Sequence, residues 1–127
     1  MSPKPSRPNL KGKDKLDAGA CFIIGGIDGR AGEELLAEFF ESEGYRLESG
    51  DEGHGRYGKG NPILRLILGA FYPRHAFNVV VDEEDDTTIT IEIQRAETGY
   101  AGGLIGRSQV ISEEKRIMDE FEDFLNE

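Results

Sequence analysis

The sequence predicts a single α+β domain, an antiparallel sheet of about four strands packed by an early helix at about 31–43 and a C-terminal helix at about 113–126. Three observations point there. Two segments repeat apolar residues at helical spacing, two others alternate β-branched and polar residues, and repeated strand–helix–strand alternation is missing. At 127 residues the chain fits one domain with a core of useful size.

Residues 1–17 hold Pro3, Pro5 and Pro8 among charges, with Leu10 and Leu16 the main apolar side chains, and are expected to form a disordered basic tail. The domain itself is expected over 18–127. Ala20–Ile24 is an apolar run between glycines, suited to a short strand. Asp28 can cap a helix, Glu33 and Glu34 suit its first turn, and Leu35, Leu36, Phe39 and Phe40 form its apolar stripe before Gly44 stops it.

Tyr45–Ser49 alternates as a strand does, and the glycines that follow allow a hairpin with a second strand near Arg56–Lys59. Residues 62–70 can be read two ways. Asn61 and Pro62 announce a helix, while Ile63–Leu68 equally suits a buried strand. The apolar strip Ile63–Phe71 is a candidate homodimer interface.

Phe77–Val81 and Thr87–Ile93 are the strongest strands, with Ile89, Ile91 and Ile93 alternating against Thr90, Glu92 and Gln94. They are expected to form a hairpin with one wet face, its turn being the carboxylate run Asp82–Asp86. That run lacks the spacing and turn glycine of an EF-hand loop. Ser112 is the expected cap of the last helix, which carries Ile117, Met118, Phe121, Phe124 and Leu125 on one face.

A net charge of −10 opposes a sequence-independent grip on phosphate backbones, so neither nucleic acid nor a membrane is an expected partner. The single cysteine excludes an internal disulfide, which suits a reducing cytoplasm. No apolar run is long enough to span a bilayer, and the N-terminus lacks the apolar core of a signal peptide. Cys21 is expected to be packed among apolar neighbours. Cys21, His54 and His75 lie too far apart in sequence to suggest zinc, and no metal or cofactor is expected.

The densest candidate site is the glycine-rich stretch from Thr98 to Ser108. Ala101–Ser108 approaches the phosphate-cradling pattern G-x-x-x-x-G-K-[ST], with Ala101 for the first glycine and Arg107 for the lysine. Those departures argue against nucleotide hydrolysis. They leave a corner of Arg95, Gly99, Gly102, Gly103, Gly106, Arg107 and Ser108 that could hold a small anion through backbone amides and guanidinium groups. The competing reading is that the glycines let the loop lie close on the core.

No catalytic constellation emerges, and the expected function is a small acidic binding or protein-interaction module, its partner a protein or small ligand. The anion or nucleotide binder, or an enzyme built on loop 99–108, is the alternative. In size, low pI and helix–strand order the chain resembles small acidic α+β secretion chaperones, and that resemblance implies a homodimer that binds other proteins.

Overall fold

The computed structural model describes residues 8–59, 75–96 and 103–126, the last group with side chains from Ile111 onward. Strands β1 (Asn9–Leu16) and β2 (Gly19–Gly25) are followed by helix α1 (Gly29–Ser42). The β3 (Arg46–Asp51) and β4 (His54–Lys59) hairpin comes next, then β5 (His75–Asp85), β6 (Thr88–Arg95) and helix α2 (Gly103–Leu125). The six strands form one sheet in the order β1-β2-β6-β5-β4-β3, every neighbouring pair antiparallel. The α+β class is thus observed, with six strands where about four were expected.

Strand β1 corrects the expectation of a disordered tail reaching residue 17. Its residues are mostly polar because it is an edge strand, and what orders it is a ladder to β2 from Asn9↔Gly25 to Leu16↔Gly19. A bulge between Leu10 and Gly12 and lysines along the strand suit an edge that must not pair with another chain. The segment 62–70, with its helix-or-strand alternatives, lies outside the described residues.

Helix α1 begins at Gly29, two residues earlier than expected, so Glu33 and Glu34 fall beyond its first turn. Asp28 caps it as expected, its Oδ1 accepting from the Ala31 amide at 2.8 Å. At the other end Gly44 takes φ +87°, the Tyr45 amide donates to the Phe40 carbonyl and the Gly44 amide to that of Glu41. This is a Schellman ending, and the left-handed residue it needs is the glycine.

Both helices lie on one face of the sheet. Phe22 and Ile24 of β2, Ile89, Ile91 and Ile93 of β6, and Phe77, Val79 and Val81 of β5 are buried beneath them. Phe121 of α2 meets Phe22 at 4.9 Å and Phe39 at 5.0 Å edge to face, while Phe40 stacks on Tyr57 at 4.8 Å. The rings weld the two helices to each other and to the sheet centre. At Gly32 α1 packs closely on the strands, since a Cβ there would stand 2.3 Å from Ile89 Cδ1.

Helix α2 starts at Gly103 rather than near Ser112, so Gly103, Gly106, Arg107 and Ser108 are helical and not loop. Gly103 and Gly106 fall in the first turn, where amides have no intrahelical acceptor. A half-buried network then ties α2 to the end of α1. Arg116 donates from Nε to Glu113 Oε1 at 2.6 Å and from Nη2 to Oε2 at 2.9 Å, and from Nη1 to Glu43. Tyr45 Oη donates to the same Glu113 carboxylate.

Candidate binding face

No described helix or strand lies over the sheet face away from the helices, and that face is open except at its Ala76–Ala96 end, where both alanines are 2% exposed. Directly paired residues in an antiparallel ladder share a face, so the register reads its composition off the strands. One row runs Asp14, Cys21, Glu92, Val80, and the next runs Gly12, Ile23, Thr90, Asp82. A third crosses Leu16, Gly19, Gln94, Asn78, Arg56 and Ser49. Cys21, Ile23, Val80, Thr90 and Glu92 are half-buried, whereas their sequence neighbours Phe22, Ile89, Ile91 and Ile93 are fully enclosed on the other side.

Cys21 therefore lies half-buried on the side away from the helices and is not packed in the core. Partial burial pushes its thiol pKa up, and the negative charges of Glu92, Asp14, Glu84 and Asp82 push it further. None of these four carboxylates pairs with a lysine or arginine among the described residues. The described cations on this face sit towards its ends: Lys11 donates to Thr88 Oγ1 at 3.2 Å, Arg56 lies 3.9 Å from Glu48, and Arg46 is on the edge strand β3.

The carboxylate run Asp82–Asp86 is not a single turn, because β5 continues through Asp85. Alternation and a bulge between Glu83 and Asp85 distribute it. Asp82 joins the open face, while Glu83 turns to the helix side and accepts from the Gly29 amide at 3.2 Å. Asp85 accepts from the Thr87 amide at 2.8 Å, and its hydrogen bonds hold its carboxyl below the usual range.

Of the residues expected to form an anion corner, only Arg95 has a described side chain. It ends β6, and its Nη1 donates to Glu114 Oε1 at 2.8 Å, so it fastens the sheet to α2. Arg107 and Ser108 lie on α2 with side chains outside the described residues, as do Gly99 and Gly102 altogether. Arg95 thus stands at a strand end and Gly103, Gly106, Arg107 and Ser108 on α2, and the guanidinium of Arg95 is engaged with Glu114.

A groove of about 430 Å³ opens nearby between the β1–β2 edge and α2. Ala20 and Met118 floor it, Ile111 is exposed on one wall, and Lys13, Lys15 and Lys115 surround it. Most of its charge is matched, Lys13 by Glu122 at 3.3 Å, Lys115 by Asp119 at 3.8 Å and Glu114 by Arg95. No group of three His, Cys, Asp or Glu side chains suited to a metal ion occurs among the described residues. No described helix is long and apolar enough to cross a membrane.

Glycine density marks the 98–108 stretch and carries no sign of this sheet face. The signal was present in the polar positions of β6, read only as a wet face. What the sequence could not supply is which strands lie beside β6, and hence which carboxylates surround Cys21. No protein-family model, curated protein or solved structure matches the chain.

Proposed function

We propose that this protein is a non-catalytic interaction module that binds a partner protein on the open face of its sheet. One observation carries the reading: both helices cover the same side, leaving half-buried Cys21, Ile23 and Val80 at the centre of the other. An extended sheet surface with apolar side chains near its centre and charges around them suits another polypeptide better than a small molecule.

The side chains near the expected anion corner favour this reading over catalysis. Arg95 and Glu114 satisfy each other, and Glu113, Arg116, Glu43 and Tyr45 form a closed network between α1 and α2. Burial raises the Glu113 carboxyl, but the Arg116 and Tyr45 hydrogen bonds and the charges of Arg116 and His75 outweigh it and hold the group ionised. A carboxylate so committed serves as a brace and not as a proton carrier.

The test is position-dependent photocross-linking in the cells that make the protein. A benzophenone side chain at Val80 is expected to give a discrete cross-linked species, and one at exposed Glu38 on α1 is expected to give none. Cross-linking from Glu38 with none from Val80 or Ile23 overturns the reading.

A further inference from the structure

We infer that the partner segment received by the open sheet face is cationic, its lysine or arginine side chains reaching Asp14, Glu92 and Asp82. This rests on the reading of that face as the binding surface and adds the chemistry of what binds there. Asp14 and Glu92 flank Cys21 in one row, and Asp82 stands in the adjacent row. Two strand spacings separate Asp14 from Glu92, about 10 Å, so cationic side chains along a single extended segment can address both.

The negative potential acts at the centre of the face, since the charges of these three carboxylates and of Glu84 reach the Cys21 thiol. They have no cationic partner among the described residues, while Lys11 and Arg56 are engaged at the ends. Ile23 and Val80 lie among them, half-buried, and offer apolar surface to the aliphatic stems of long basic side chains. Arg and Lys combine these two requirements. A second copy would press like charges together, and a phosphate backbone would be repelled.

The probes are three soluble decapeptides alternating serine with arginine, with glutamate or with valine, titrated onto the full chain. Amide NMR locates each contact, and alkylation of the single cysteine measures cover over Cys21. The arginine peptide is expected to shift the amides of Cys21, Ile23, Thr90 and Glu92, to slow alkylation roughly threefold or more at a pH above the thiol pKa, where cover and not charge sets the rate, and to lose both effects in high salt. The double variant Asp14→Lys/Glu92→Lys is expected to abolish them. Glu38→Lys/Glu41→Lys, on the exposed side of α1, is expected to leave them intact.

Equal loss in both double variants means general counter-ion attraction and overturns the inference. So does equal binding of the valine peptide, or a dimer that buries Cys21 unaided. Faster alkylation on Lys4→Glu/Arg7→Glu would show the chain's own basic head on the face, again excluding a separate cationic partner there. If Asp14→Lys/Glu92→Lys keeps the cross-link from Val80, the binding-face reading stands and the cationic inference fails. If the cross-link is absent from the unaltered face, the underlying reading fails first.

Discussion

The two faces of strand β6 differ more than any two regions of its length. Ile89, Ile91 and Ile93 are completely buried under the helices, while Thr88, Thr90, Glu92 and Gln94 interleave with them on the open side. One strand thus anchors the core with half of its residues and presents a surface with the other half. Stability should be sensitive on the first side and tolerant on the second, and a face free of stability constraints can be given over to recognition.

The largest expected effect is at the helix side. Phe121 meets the rings of both Phe22 and Phe39, so Phe121→Ala removes the central aromatic contact of α2 with α1 and the sheet. The expected loss is roughly 3–5 kcal/mol, read from urea unfolding. A loss below about 1 kcal/mol would mean that α2 contributes little to the core, and the contrast between the faces would collapse.

Neighbouring valines sharpen the contrast because the chemistry of the change can be held constant. Val79 is 2% exposed among the core residues, whereas Val80 lies half-buried on the open face. Val79→Thr buries a hydroxyl and should cost about 1–3 kcal/mol, while Val80→Thr should stay within about 0.5 kcal/mol. Equal losses in thermal or urea unfolding would show that something covers the second face.

How much of this was legible follows from where the information resides. The isoleucine alternation in β6 and the Phe39–Phe40 stripe in α1 are local patterns, and both elements stand within about two residues of where those patterns placed them. Strand β1 is invisible locally, since Lys11, Lys13, Asp14 and Lys15 look like a tail. Its order comes from pairing with β2, a contact between strands that composition does not encode. Glycine misled at Gly103 and Gly106, because a helix's first turn tolerates what its interior resists. The candidate face needed strand order as well: Asp14 and Glu92 are far apart in sequence and adjoin Cys21 only through β2.

The brace at Glu113 offers an intermediate effect with a signature in pH. Its pKa is lowered in the folded protein, so the stabilisation is present above the unfolded glutamate range and is lost as pH falls through the lowered folded value. Glu113→Gln should cost about 1–2 kcal/mol at neutral pH, given the charged hydrogen bonds it weakens. The difference from the unaltered protein should shrink towards pH 3. A difference independent of pH would mean that the carboxylate acts by shape and not by charge.

The smallest effect is the most discriminating, because it separates adjacent residues of one acidic run by sign. Glu83 reaches the N-terminal end of α1, where its carboxylate meets the Gly29 amide, and Glu83→Gln should cost about 0.5 kcal/mol through the weakened helix-end interaction. Glu84 instead adds to the unpaired negative charge around Cys21, so Glu84→Gln should leave stability unchanged or raise it by relieving repulsion. The same change should also bring the Cys21 thiol pKa down, measurable as faster alkylation at a fixed pH below it. Glu83→Gln should leave the thiol alone. If both variants moved stability and thiol reactivity together, the run would behave as one diffuse charge cloud, and the division of labour between the faces would not extend to the end of β5.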